Sequence, residues 1–166
     1  MKIVFVCHGN ICRSPMAEYI MKDSASKAGL LDVLEISSAA VSYEEEGNDI
    51  YPPARRVLAE RNIPFARHSA HRICLQEFQK ADLVLVMDRS NLSLLTRIVG
   101  DYTNLLPSEI AQKHGFKSKV YRLMELCGES KDVADPWYTG DFNTTYNDIK
   151  RACESLCKVI KESDLV

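Results

Sequence analysis

The sequence predicts one α/β domain over residues 1–166, built on a four-stranded parallel sheet in the strand order 2-1-3-4 with helices on both faces. Apolar runs of strand length alternate with segments of helical periodicity along the 166 residues, an alternation that is typical of parallel sheets. The first predicted strand, residues 2–6, contains an uninterrupted apolar run at 3–6, as expected for a strand buried on both faces. A chain of this length is long enough to bury a core of its own.

Local signals place the boundaries of the other elements. Ser14 is predicted as the N-cap of the first helix, with Pro15 at its first position and Gly29 as its C-cap. A last helix after Asp141 puts its apolar residues on one face, at positions 142, 146, 149, 153, 156, 157 and 160. The remaining predicted elements are strands at 33–37, 82–87 and 119–123, helices at 54–61, 75–80 and 91–99, a polar loop at 41–53, and one or two helical turns before residue 118.

Composition and charge exclude several classes of function. The net charge of −2 provides no global field that would attract nucleic acid or an anionic membrane, so neither is expected as a partner. No span reaches the roughly 20 apolar residues of a membrane helix. The N-terminus enters a strand without the layout of a signal peptide. We therefore expect a cytoplasmic protein.

The six cysteines are expected to be reduced thiols in a chain without a secretory signal. The spacing of Cys7 and Cys12 does not match that of zinc ligands. Cys153 and Cys157 lie four residues apart on a predicted helix, with no histidine or second cysteine pair nearby in sequence. Free cysteines are among the most buried residue types. We therefore expect core thiols there, and no metal or cofactor.

The loop between the first strand and the first helix has the composition of an anion-binding site. Backbone N–H groups at such a junction bind anions, and ligands of parallel sheets lie beyond the carboxyl ends of the strands. Cys7 stands at the start of this loop and Arg13 six residues later, which makes an anion site a candidate reaction centre. The other candidate loop residues are His8, Gly9, Asn10, Ile11, Cys12 and Ser14.

Cys7, Arg13 and Asp135 are the candidate catalytic residues. A cysteine attacks as a thiolate, which a helix N-terminus and nearby cations stabilise, and Arg13 offers a planar fork that matches two phosphoryl oxygens. Ser14 would donate a hydrogen bond to the Cys7 sulfur. Attack on phosphorus would form a phosphocysteine, with Asp135 as acid and then as base. Spacing alone does not distinguish Asp135 from the other acidic residues, of which the chain has 23 in all. The alternative is that Cys7 is only a buried thiol and Arg13 only a surface charge.

Residues 6–18, Val-Cys-His-Gly-Asn-Ile-Cys-Arg-Ser-Pro-Met-Ala-Glu, resemble the characteristic motif of the low-molecular-weight protein tyrosine phosphatases. Residues 87–91 resemble the Met-Asp-x-x-Asn segment of this family, and residues 135–138 resemble its acid loop. Residues 68–71 are similar to its His-x-Ala-Arg segment, with His71 in place of arginine. The resemblance spans nearly the whole chain in the family's order.

The resemblance implies a phosphatase without metal or cofactor that acts on phosphotyrosine proteins or aryl phosphates. The sequence does not give the oligomeric state, which is open between a monomer and a weak dimer. The resemblance also implies Cys7 as nucleophile, Arg13 as phosphate binder and Asp135 as general acid. Cys12 is expected to pack as a thiol and, on oxidation, to trap Cys7 as a reversible disulfide. The residues implied to hold the loop in shape are Asn10, Ser14, Ser38 and His68. From the residues alone, His68 has the alternative of a core histidine.

The substrate pocket is predicted beside Ile11, Trp137 and Tyr138. A branched apolar side chain suits a flat phenyl ring, and aromatic faces stack on it, although Trp137 has the alternative of packing the acid loop. Glu44 occupies the position where the family usually has an aromatic residue, and Tyr43 is expected to provide an aromatic wall instead. The three glutamates that begin at Glu44 either favour basic peptides over acidic ones or form a solvated loop.

Three other functions stay open at this point. An arsenate reductase shares this fold and loop but needs redox cysteines downstream of the third strand. Here Cys74 precedes that strand and Cys127 follows the fourth. A related arginine phosphatase carries threonine where this chain has Ile11. A non-catalytic phosphate-binding module would need neither Cys7 nor an acid.

Overall fold

The computed structural model describes residues 1–164 and contains a sheet of four parallel strands in the order β2-β1-β3-β4. The strands are Lys2–Cys7 (β1), Glu35–Ala40 (β2), Leu83–Val86 (β3) and Val120–Arg122 (β4). The predicted fold class and strand order are confirmed. Residues 165 and 166 of the predicted domain lie outside the described residues.

Helices cover both faces of this sheet. They are Arg13–Ala28 (α1), Pro52–Glu60 (α2), Leu75–Lys80 (α3), Arg89–Val99 (α4), Glu109–Lys113 (α5), Pro136–Thr139 (α6) and Phe142–Asp164 (α7). Short 3₁₀ helices at Leu31–Val33 and Leu123–Cys127 follow α1 and β4. Within residues 1–164, no helix combines the length and apolar character needed to span a membrane.

Successive residues of β1 belong to two separate cores. Ile3 and Phe5 are fully buried in the core that contains residues of α1, α2 and α7, whereas Val4 and Val6 are fully buried in the core that contains residues of α3 and α4. Burial on both faces explains why this strand is an uninterrupted apolar run in the sequence. Because both faces of the sheet are covered, the carboxyl ends of the strands are the place where a functional site can form.

The long helix α7 packs against α1 through the apolar face that the sequence predicts. Cys153 Sγ lies 3.9 Å from the carbonyl oxygen of Ala17, and Cys157 Sγ lies 3.9 Å from Met21 Sδ. Both cysteines are buried in the core, as predicted. Burial raises the pKa of Cys157 to about 11 and that of Cys153 well above its ordinary value, so both are neutral thiols at neutral pH.

The boundaries of β2 differ from the predicted range of 33–37 because pairing with β1 decides them. Val33 belongs to a 3₁₀ helix, and the pairing starts with Glu35 opposite Lys2. It continues to Ala40 opposite Cys7. The low strand propensity of the sequence Ser-Ser-Ala-Ala concealed the second half of β2. The added residues carry the strand to the start of the loop that follows β1.

Two helices begin at positions that differ from the prediction, because acidic residues cap them there. The helix α4 begins two residues earlier than predicted, since Asp88 Oδ1 accepts a hydrogen bond from Asn91 N at 2.7 Å and caps it. The helix α6 was predicted as loop, and Asp135 caps it by accepting from Trp137 N at 3.1 Å. The predicted last strand ends one residue early, because Leu123 starts a 3₁₀ helix. Two acidic residues therefore stand at helix starts beside the carboxyl edge of the sheet.

Candidate active site

The loop after β1 turns sharply around Asn10. This residue is fully buried and has a φ of +60°, a left-handed conformation that asparagine tolerates better than most residues. Its backbone N–H points back to the Cys7 sulfur at 3.3 Å. Cys7 is only 3% exposed. Its sulfur therefore lies inside the curve of the loop.

Polar side chains hold this conformation from outside the loop. Asn10 Nδ2 donates to Ser38 Oγ at 3.0 Å, and Ser38 Oγ donates to Glu18 Oε2 at 2.6 Å. His68 Nε2 lies 2.8 Å from the Asn10 carbonyl oxygen, and His71 N donates to Asn10 Oδ1 at 3.3 Å. The left-handed residue is therefore bonded through its carbonyl and its side chain, which offsets its conformational cost. Glu18 was not predicted as a supporting residue, although it is the last residue of the motif at 6–18.

Ser14 contacts the nucleophile candidate rather than capping α1. The helix begins at Arg13, and Cys12 precedes it without a side-chain cap, so the predicted N-cap is wrong. Ser14 Oγ lies 3.0 Å from Cys7 Sγ and 3.3 Å from the Ala39 carbonyl oxygen. The predicted contact between the Ser14 hydroxyl and the Cys7 sulfur is present.

Arg13 is buried between carboxylates. Its Nη1 donates to Asp88 Oδ2 at 2.7 Å and to the Val133 carbonyl oxygen at 2.9 Å, and its Nη2 donates to Asp135 Oδ2 at 3.2 Å. Burial by itself lowers the pKa of Arg13, but the negative groups of Cys7, Asp135 and Asp88 raise it above its ordinary value. Arg13 is therefore a fixed cation. Asp88 was not predicted as a site residue, although its segment belongs to one of the recognised motifs.

A cleft of about 140 Å³ opens over the Cys7 sulfur. Its lining residues are Cys7, His8, Gly9, Ile11, Cys12, Arg13, Glu44, Glu45, Asp135, Trp137 and Tyr138. The cleft thus brings together residues that follow β1, β2 and β4. Cys74 and Cys127, the cysteines weighed for an arsenate reductase, are not among these lining residues.

The predicted pocket wall loses one residue, Tyr43, and gains one that was not predicted, Glu45. Tyr43 does not line the cleft, because its ring stacks under the Arg72 guanidinium at 4.6 Å and its hydroxyl accepts from Arg72 Nη1 at 3.0 Å. Glu45 takes the place beside Glu44 and lies against the loop. A Cβ added to Gly9 would meet Glu45 Cγ at 3.2 Å. Sequence spacing did not distinguish the inward glutamate from its neighbours.

Cys12, at the end of the loop, is buried at 5% exposure, packs in a small cluster with Ile11 and Ala70, and borders the cleft. Burial raises the pKa of its thiol, and the negative charge of Cys7 adds to the rise. Cys12 is therefore a neutral thiol next to the candidate nucleophile. In the described part of the chain, no three His, Cys, Asp or Glu side chains cluster in a way that would hold a metal ion.

The junction of β1, its loop and the N-terminus of α1 defines an α/β protein whose first loop carries a buried cysteine at one end and a buried arginine at the other, at the kind of strand–helix junction that commonly binds anions. A family model described as low molecular weight phosphotyrosine protein phosphatase matches residues 2–165 of this chain. The chain belongs to this family, as its motifs led us to expect.

Individual relatives match the chain over nearly its whole length. It is 32% identical to the low molecular weight protein-tyrosine-phosphatase YfkJ of Bacillus subtilis over 164 residues, which cover 98% of this chain and 97% of YfkJ. The crystal structure of YfkJ superposes with a TM-score of 0.85, covering 98% of this chain and 95% of that one. The crystal structure of DARP, described as a Drosophila arginine phosphatase, has a TM-score of 0.80 at 29% identity and covers 95% of this chain and 96% of that one.

Proposed function

We propose that this protein hydrolyses phosphotyrosine in proteins, and small aryl phosphates, through a phosphocysteine intermediate. The observation that carries the proposal is the convergence of the Cys7 sulfur, the Arg13 guanidinium and the Asp135 carboxylate on one cleft. A phosphate-binding module would need the arginine and the loop, but neither a buried sulfur at the base of the cleft nor a carboxylate above it. Membership of the family supports the same reaction.

In the first step, the Cys7 thiolate attacks phosphorus, an S–P bond forms, and the P–O bond to the aryl group breaks. Arg13 binds two phosphoryl oxygens with its planar fork. Phosphate takes the place that Asp135 holds beside Arg13 Nη2 in the free protein. Once released from Arg13, the Asp135 carboxylate takes up a proton from solvent and delivers it to the leaving oxygen, so that the phenol departs neutral.

In the second step, water attacks the phosphocysteine. The Asp135 carboxylate accepts a proton from the water, the S–P bond breaks, and inorganic phosphate and the Cys7 thiolate form. The N–H of Asn10, 3.3 Å from the sulfur, and the Ser14 hydroxyl, 3.0 Å away, stabilise the departing thiolate.

We propose that no metal ion takes part, because Arg13, the N-terminus of α1 and the loop N–H groups supply positive charge where the phosphoryl group carries negative charge. Turnover of p-nitrophenyl phosphate with and without excess EDTA tests this together with the nucleophile. We expect full activity in EDTA, no activity in Cys7→Ser, and normal activity in the control Cys74→Ser, whose thiol is exposed. Loss of activity in EDTA, or activity in Cys7→Ser, would contradict the proposal.

Phosphoarginine is a second candidate substrate. The likeness to DARP and the carboxylates of Glu44 and Glu45, which line the cleft, favour it, since a carboxylate pairs well with a guanidinium. Ile11 offers no hydroxyl to a guanidinium and instead suits a phenyl ring, which favours phosphotyrosine. The ratio of kcat/KM for free phosphotyrosine and free phosphoarginine decides between them, and we expect it to favour phosphotyrosine.

A further inference from the structure

Glu44 and Glu45 form one side of the cleft, which we call the acidic wall. Hydrogen bonds fix both ends of the loop that carries them, although most residues of this loop are exposed. Ser42 N and Ser42 Oγ both donate to the His8 carbonyl oxygen, at 3.2 and 3.0 Å. At the other end of the loop, Gly47 N donates to the Ala70 carbonyl oxygen at 2.7 Å. The carboxylates are therefore held in place before a substrate arrives.

Each glutamate of the acidic wall is also oriented by its own contact. Glu44 Oε2 lies 2.9 Å from His8 Nε2 at the mouth of the cleft, where the Glu44 side chain is 69% exposed. Glu45 lies deeper, against Gly9, and its Oε2 accepts from Asn48 Nδ2 at 2.7 Å. Asparagine is neutral, so this contact fixes the direction of the Glu45 carboxylate and leaves its charge in place.

The charges around the cleft do not balance before the substrate binds. The carboxylates that line it are Glu44, Glu45 and Asp135, and the cationic or titratable basic groups are Arg13 and His8. Arg13 is paired with Asp135 and with Asp88 outside the cleft, and His8 with Glu44. A phosphate dianion adds further negative charge. A cation carried by the substrate beside its phosphate would offset this excess.

Two aromatic residues that line the same cleft also suit a cation. Trp137 and Tyr138 are 54% and 85% exposed. An ammonium or guanidinium group between a carboxylate and an aromatic face gains from both. When the phosphotyrosine ring of a peptide lies deep in the cleft, the residues on either side of the phosphotyrosine lie at the mouth of the cleft.

From these observations we propose that the acidic wall selects phosphotyrosines flanked by lysine or arginine, with Glu44 and Glu45 as the residues that determine this specificity. The inference rests on the proposed phosphatase activity and adds the class of peptide that the site prefers. Selection operates through the charge of the two carboxylates. Their neutral amide counterparts keep the shape of the wall and remove the preference.

Three phosphotyrosine peptides that differ only in the two residues beside the phosphotyrosine, both Lys, both Ala or both Glu, test the proposal. We expect kcat/KM for the Lys peptide to exceed that for the Glu peptide by about tenfold at low salt. The ratio should approach one in the double variant Glu44→Gln/Glu45→Gln. It should also shrink near 1 M salt, where the Debye length is only about 3 Å.

Glu46→Gln is the matched control. Glu46 belongs to the same loop, but it accepts from Arg72 N and does not line the cleft, so this variant should keep the ratio of the wild type. An equal kcat/KM for the Lys and Glu peptides in the wild type would overturn the inference. A ratio that survives in the double variant would overturn it as well.

Binding separates this inference from the proposed reaction. Cys7→Ser binds the same three peptides without turnover, and its Kd should be about tenfold lower for the Lys peptide than for the Glu peptide. Equal Kd values overturn the inference, whatever the enzyme does. Failure of the wild type to hydrolyse p-nitrophenyl phosphate overturns the proposed reaction alone.

Discussion

At the scale of single residues, the Ser14 hydroxyl has one hydrogen and two acceptors within reach. The Cys7 sulfur lies 3.0 Å away and the Ala39 carbonyl oxygen 3.3 Å away. Asn10 Nδ2 donates to the same hydroxyl at 2.8 Å, so its oxygen is already occupied as an acceptor. Ionisation of Cys7 draws the hydrogen to the sulfur, because hydrogen bonds to charged acceptors are the stronger ones.

Removal of this hydroxyl should therefore slow both steps in which the sulfur carries charge. We expect Ser14→Ala to lower kcat for p-nitrophenyl phosphate by about 10- to 100-fold, the range for a lost hydrogen bond to a charged group. The rate of Cys7 alkylation by iodoacetamide at neutral pH should fall in parallel. Ser26→Ala, at an exposed position of the same helix, should change neither rate, and an unaffected alkylation rate in Ser14→Ala would contradict this role.

Cys12 belongs to the same scale, because its neutral buried thiol lines the same cleft as Cys7. Peroxide converts the Cys7 thiolate to a sulfenic acid, and attack by the Cys12 thiol then forms a disulfide and releases water. We expect peroxide-inactivated wild type to regain most of its activity in dithiothreitol, and Cys12→Ser to regain little. Recovery in Cys12→Ser equal to that of the control Cys127→Ser would exclude Cys12 as the disulfide partner.

At the scale of elements, Asp135 is both the N-cap of α6 and the proposed general acid. One oxygen accepts from Trp137 N at 3.1 Å and caps this helix, while the other accepts from Arg13. Asparagine is as good a cap as aspartate but cannot carry the transferred proton. The two functions are therefore separable by substitution.

Asp135→Asn should slow hydrolysis of phenyl phosphate, a poor leaving group, more than hydrolysis of p-nitrophenyl phosphate, and should leave Tm nearly unchanged. Asp135→Ala should show the same kinetic defect and a further loss of about 1 kcal/mol in the free energy of unfolding, the usual cost of a lost cap. Both are measured by kinetics on the two substrates and by urea unfolding. Equal slowing on both substrates would argue against Asp135 as the acid.

At the scale of the whole molecule, His71 links the segment that supports the loop to α3. Its Nε2 lies 3.0 and 3.1 Å from the two carboxylate oxygens of Glu77. The hydrogen bond with Glu77 raises the pKa of His71 above its ordinary value of 6.5, although partial burial opposes the rise. The pair therefore adds stability that is complete below about pH 6.5 and is lost as the pH rises through the folded-state pKa.

The wild type should accordingly exceed His71→Gln in free energy of unfolding by more at about pH 6 than at about pH 9. The difference should stay below about 1 kcal/mol, because the pair is partly exposed. Urea unfolding at the two pH values measures it. In a Glu77→Gln background the His71→Gln substitution should lose this pH dependence, and a dependence that persists there would assign it to another group.

The sequence was sufficient to predict the fold and the candidate site wherever one continuous stretch contains both the secondary structure and the reactive residues. Residues 6–18 contain the end of β1, the loop and the start of α1, so their local pattern predicts the site directly. Asp88 and Glu18 both lie in recognised motifs, but their roles were not predicted. Those roles depend on contacts with Arg13 and Ser38, which lie far away in the chain. Tyr43 was misplaced for the same reason, since Arg72 draws its ring away from the cleft.

The parallel sheet also has a consequence for how activity depends on folding. Because all four strands run in one direction, the site combines the loop after β1 with Glu44 after β2, Asp88 after β3 and Asp135 after β4. No fragment that lacks one strand would contain a complete site. We therefore expect catalytic turnover to disappear in the same cooperative transition as the fold, which makes phosphatase activity a sensitive measure of the intact native population.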